Sequence, residues 1–181
     1  MRRLTVAVAA LAWSAACATT GPPTVPPATD GTVAIQILAF NDFHGNLEPP
    51  AGSTGRIGET SVGGAEYFAT HIDRRRATNP NTVVVAAGDN VGASPLLSSL
   101  FHDEPTIRAL DLIGLAYSSP GNHEFDEGWR EFLRLKRGGC HPADGCRGPG
   151  SFDGAKFDYL AANVIVDEIG EPLFPATAVR T

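Results

Sequence analysis

Thr82-Val83-Val84-Val85-Ala86-Ala87-Gly88-Asp89 is the stretch that decides how this chain folds. A run made almost entirely of Val and Ala suits a parallel strand covered on both faces, and Gly88 lets the backbone turn sharply so that Asp89 projects at the sheet edge. Working outward, the same pattern recurs on either side. Residues 33–40 form a β-branched and apolar run that ends in Asn41 and Asp42-Phe43-His44, and residues 115–119 form a short run followed by Gly121-Asn122-His123-Glu124. Helical patterns separate these runs: residues 64–77, with Ala65, Phe68 and Ile72 on one face, then residues 96–101, then residues 104–113, where Ile107, Leu110 and Ile113 share a stripe. Strand and helix in alternation predict a layered α/β sheet with right-handed crossovers. Further on, Asp126 is expected to cap a helix reaching about residue 137 with Trp129, Phe132 and Leu133 facing inward, residues 159–166 read as a fourth strand, and the remainder opens a hairpin.

The chain has 181 residues, enough for one domain with a sizeable core, and its 20 Gly and 14 Pro point to a loop-rich domain. A formal charge of -6, with no basic run longer than Arg74-Arg75-Arg76, argues against a nucleic-acid partner held by phosphate contacts. Arg2 and Arg3 followed by an apolar stretch over residues 4–16, too short to span a bilayer, read as an export signal occupying residues 1–17. Ser14-Ala15-Ala16-Cys17 resembles a bacterial lipoprotein cleavage box, in which Cys17 carries the lipid, although Ser14 stands where Leu is usual. Cleavage by ordinary signal peptidase near residues 16–18 is the alternative. Residues 18–32, rich in Thr and Pro, then form an extended solvated linker ahead of the domain at residues 33–181. The product is thus expected to be exported, either periplasmic or anchored to the membrane through lipid. With Cys17 set aside, Cys140 and Cys146 enclose a short loop, for which a disulfide is the leading reading in an exported chain. A metal site of Cys140, His141 and Cys146 is the other reading, and it shows no evident fourth ligand.

The three polar clusters carry the chemistry. In Asp42-Phe43-His44 an extended backbone aims both polar side chains to one side, a carboxylate and an imidazole suited to zinc, manganese or iron. Asp89 can bridge two cations. Asn122 offers a neutral oxygen ligand, while His123 stays free of metal and carries a proton. Asp126 can hold that imidazole in its productive tautomer, or serve only as a helix N-cap. Each cluster alone has an ordinary reading as a turn after a strand. Together they set two Asp, two His and one Asn at one sheet edge, a ligand set for a two-metal phosphoesterase.

The strings Asn41-Asp42-Phe43-His44-Gly45-Asn46, Gly88-Asp89-Asn90 and Gly121-Asn122-His123-Glu124-Phe125-Asp126 resemble the 5′-nucleotidase branch of the calcineurin-like metallophosphoesterases, with bacterial nucleotidase/UDP-sugar hydrolases the nearest type. The resemblance implies a four-layer α/β/β/α fold and two divalent ions, zinc, manganese or similar. It makes Asp42 and His44 ligands of the first metal, Asp89 the bridge, Asn122 a ligand of the second, and His123 with Asp126 the catalytic dyad. The implied reaction is hydrolysis of a nucleotide or related phosphate ester by a metal-bound hydroxide, with nucleoside monophosphates, nucleotide sugars and cyclic nucleotides as candidate substrates. Such enzymes draw further His ligands from later loops, whereas His71 and His102 sit on helices and His141 in the Cys loop. The chain therefore reads as the N-terminal portion of the catalytic domain, binding metal weakly and turning over little alone. The alternative is an exported binding or adhesion lipoprotein domain on the same fold.

Overall fold

The computed structural model describes residues 31–148 and 150–180; the export signal, Cys17 and nearly all of the linker lie outside the described residues. Gln36–Phe40 forms the first strand, β1, and the hairpin of β2 (Arg56–Ile57) and β3 (Thr60–Ser61) follows it. Helix α1 spans Gly64–Arg76, and β4 spans Thr82–Ala86. Next come α2 (Leu96–Ser99), α3 (Glu104–Ile113) and β5 (Tyr117–Ser118). The described chain ends with α4 (Trp129–Arg137), β6 (Asp158–Tyr159) and the hairpin of β7 (Ile165–Val166) and β8 (Glu171–Pro172).

The main sheet runs in the order β1-β4-β5-β6, and every neighbouring pair is parallel, as strand-helix alternation requires. Its register sets Phe40 beside Ala86, so the loops carrying Asp42 and Asp89 leave the sheet side by side. One face packs on the helices. Val84 and Ala86 of β4 join Ile72 of α1 and Ile107, Leu110 and Ile113 of α3 in the core, with Leu38, Phe40 and Phe68 against them. The stripe read from the sequence of α3 is thus buried throughout.

The opposite face departs from the sequence reading, which covered the strands on both sides. Ile35 and Ile37 are 70% and 65% exposed, and Val83, which pairs with Ile37, and Val85 on the same face of β4 are only partly buried. Among the described residues one α-covered sheet is present, and no second layer lies over these side chains. The alternation of strand and helix thus builds the layered α/β sheet that the sequence predicts.

Two further expectations need correction. The backbone leaves the sheet after Leu160, whose N–H bonds Ser118 O, and the Ala161 N–H turns instead to Pro175 O. The strand read at residues 159–166 is therefore split between β6 and the separate hairpin of β7 and β8. Helix α4 also begins later than expected: a 3-10 turn at His123–Phe125 intervenes, and Gly128, at a φ of 86°, takes the N-cap position that the sequence assigned to Asp126. Phe132 and Leu135 are its buried apolar residues, while Trp129 and Leu133 are half-buried. Phe132 sits edge-on to Tyr159 and Phe174, with ring centroids 4.6 and 4.9 Å away, and so fixes α4 against the end of the sheet.

Candidate metal centre

The loops after β1 and β4 are zipped together by their backbones. The N–H groups of Asp42, His44 and Gly45 donate to the carbonyls of Gly88, Asp89 and Asn90 at 3.1, 3.1 and 3.0 Å, continuing the strand pairing past the sheet edge. Asp42, His44 and Asp89 all adopt left-handed backbone conformations, with φ of 54°, 45° and 51°. The sequence reading had Asp42 and His44 converge on an extended backbone; they converge instead through this tight turn. Such conformations cost on the order of 1–3 kcal/mol each in non-glycine residues, and concentrate where a site holds them.

The third cluster meets the second at a contact only glycine permits. A methyl group on Gly88 would overlap the backbone of Pro120 and Gly121, and one on Gly121 would overlap the Asp89 carboxylate. This approach lets Asp89 Oδ1 accept the His123 N–H at 2.9 Å.

Each imidazole has one nitrogen anchored. His44 Nδ1–H donates to Gly92 O at 2.8 Å, which leaves the Nε2 lone pair free, 3.7 Å from Asp42 Oδ1. His123 Nδ1–H donates to Asp126 Oδ2 at 2.8 Å, and that hydrogen bond is the main cause holding its pKa above the ordinary imidazole value. The two rings lie edge to face, centroids 4.9 Å apart. Donor atoms of His44, Asp89 and His123 all lie within 4.8 Å of one another. Anchoring by a carbonyl or carboxylate fixes the tautomer of a metal-binding imidazole, so these residues fit a divalent cation. Asn122 is exposed in the same turn, next to Gly121 and His123. The grouping includes His123, which the sequence reading kept free of metal.

Glu124 is the contribution that the sequence did not disclose. Its carboxylate accepts the N–H groups of Asp89 and Asn90, both at 2.9 Å, and of Gly121 at 2.6 Å, tying the second and third loops together from beneath. Burial pushes its pKa up, against the opposing pull of those three N–H groups. The residue was visible in the Gly-Asn-His-Glu string, but nothing in a lone carboxylate says which amides it will accept. Glu124→Gln replaces one accepting oxygen with a donor facing N–H groups, and is expected to destabilise the fold by about 1–3 kcal/mol. Urea unfolding checks this, and an unchanged midpoint contradicts it.

The remaining sequence candidates lie elsewhere. Cys140 and Cys146 are joined in a disulfide with their Cα atoms 4.5 Å apart, so neither thiol is left for a metal. His71 is exposed on α1. His102 turns its two ring nitrogens to Glu127 and Asp144 and stacks on His141.

The pattern described as calcineurin-like phosphoesterase matches residues 35–170, and the chain belongs to that family. It is 47% identical over 173 residues to an uncharacterized protein in the pqq-V 5′ region of Acinetobacter calcoaceticus, covering 87% of this chain and 83% of that one. It is 38% identical to the endonuclease YhcR of Bacillus subtilis, covering 80% of this chain but 12% of that one. Among solved structures, a 5′-nucleotidase precursor from Thermus thermophilus matches with a TM-score of 0.57 and 27% identity, over 78% of this chain and 25% of that one. The chain thus spans most of the Acinetobacter protein and a quarter or less of the other two.

Proposed function

We propose that the intact protein hydrolyses phosphate esters of nucleotides with the help of two divalent ions, zinc, manganese or similar. The observation that carries this reading is the meeting of His44, Asp89 and His123 from separate strand ends, each imidazole anchored on its far nitrogen. Two such ions, when bound, would activate water and neutralise charge on the phosphoryl oxygens. Asp42, His44, Asp89 and Asn122 would hold them. The strained turns and the Glu124 clasp keep these side chains in place before anything binds, which is the preorganisation that charge stabilisation needs. His123, kept protonated more readily by Asp126, would offer its Nε2 proton to a phosphoryl or leaving oxygen. The endonuclease and nucleotidase relatives both support a phosphate ester of a nucleotide as the substrate class.

A second reading, an exported domain that binds without catalysis, is favoured by one observation. Among the described residues, His71, His102 and His141 contribute nothing to the His44–Asp89 cluster, whereas the resemblance calls for further imidazoles. Metal analysis with a phosphate-release assay on the intact protein, across nucleoside monophosphates, a nucleotide sugar and a cyclic nucleotide, separates the two. Release that depends on added metal supports the enzyme, and bound metal with no release on any member supports the binding domain. Export, with or without a lipid on Cys17, is part of the same proposal.

A further inference from the structure

We propose a second metal site, formed by His102, Glu127, Glu131 and His141, that takes zinc and fastens the disulfide loop to the start of α4. One donor atom from each of the four residues lies within 4.8 Å of all the others. His102 Nδ1 stands 3.1 Å from Glu127 Oε2, and His141 Nε2 stands 3.7 Å from the same oxygen. Two imidazole nitrogens facing one shared carboxylate oxygen, with a second carboxylate beside them, are a donor set that suits zinc.

Supporting contacts prepare these groups to bind. His102 Nε2–H donates to Asp144 Oδ2 at 2.8 Å, which leaves the Nδ1 lone pair for a metal, and Arg147 in turn holds that Asp144 oxygen at 3.0 Å. Arg134 donates to both oxygens of Glu131 at 2.6–2.9 Å and to Glu104 at 2.7 Å, keeping the Glu131 carboxylate in one orientation. Both imidazoles are only 14% exposed, and the Glu131 side chain is 9% exposed. With neutral histidines, Glu104 and Glu131 pair with Arg134, Asp144 pairs with Arg147 and Glu127 faces the two imidazoles, four carboxylates to two guanidiniums. The surplus of two negative charges is what one divalent cation neutralises.

Loading requires a small rearrangement. The His102 and His141 rings are parallel, centroids 3.7 Å apart, and a metal must lie near the plane of each ring, so one ring has to rotate. His141 Nδ1 now accepts the Asp144 N–H at 3.1 Å; on binding, that nitrogen carries the proton and faces Asp144 Oδ2, 4.0 Å away. In return the metal cross-links three distant segments: the residue pair before α3, the first turn of α4, and the loop closed by Cys140 and Cys146. Asp126, the partner of His123, directly precedes Glu127, so the clasp also secures the turn that carries the dyad.

The test is zinc counted per chain by mass spectrometry, together with cobalt(II) absorption, on the full-length disulfide-bonded protein. Asp42→Ala/Asp89→Ala, which removes the carboxylates of the first centre, is expected to keep one zinc and to show a cobalt band saturating at one equivalent. Adding His102→Ala/His141→Ala is expected to abolish both signals. A folded Asp42→Ala/Asp89→Ala protein that takes up neither metal overturns the proposal, as does an unchanged count after the histidines are removed. Glu127→Gln alone, a milder change that leaves the core and disulfide untouched, is expected to lower zinc by one per chain; an unchanged count there overturns the proposal even if the histidine variant fails to fold.

Discussion

Asp89→Ala in the intact protein is expected to strip at least one divalent ion per chain and to lower phosphate release by roughly a thousandfold or more. The size follows from what the side chain does at its position. Asp89 brings its carboxylate within reach of both His44 and His123, and its removal takes away the one carboxylate of that grouping. Lewis-acid stabilisation of phosphoryl oxygens is worth several kcal/mol, and about 4 kcal/mol is a factor of roughly a thousand. The same substitution removes the acceptor of the His123 N–H, so the third loop loses its tie to the second at that point. The Glu124 clasp remains, because it grips the Asp89 backbone rather than its side chain, and the fold is expected to survive. Metal stoichiometry equal to wild type in a folded Asp89→Ala protein contradicts the bridging role.

His123→Ala is expected to lower turnover by about a hundredfold or more while leaving metal content unchanged, the signature of a proton donor rather than a ligand. The geometry makes this a sharp test. His123 is oriented by Asp126 as a dyad, yet its donor atom also lies within ligand range of His44 and Asp89. Loss of an ion with His123→Ala makes it a ligand, and the proton then has to come from elsewhere.

Much of the architecture could be read from the sequence because burial left a plain trace. The Val run of β4 and the Ile107, Leu110 and Ile113 stripe of α3 name their elements without help, and each polar cluster follows a strand as the reading required. What could not be read depended on contacts between distant segments. The extended geometry assigned to Asp42 and His44 gave way to left-handed turns, in a loop whose amides bond across to Gly88, Asp89 and Asn90, partners that no local pattern shows. Asp126 looked like an N-cap because it stands just ahead of α4, but the His123 ring competes for its carboxylate and wins, and Gly128 takes the cap. Glu124 and the facing pair of His102 and His141 went unread for the same reason. Their partners lie 34 and 39 residues away in sequence and are brought together only by the fold.

The central claim is that side chains from the ends of β1, β4 and β5 surround a common cation position. Anomalous diffraction from crystals of the intact protein grown with manganese measures this most directly. The account predicts density within bonding distance of His44 Nε2 and an Asp89 carboxylate oxygen. Well-ordered crystals of the protein with these two side chains in place and no anomalous density between them would contradict it.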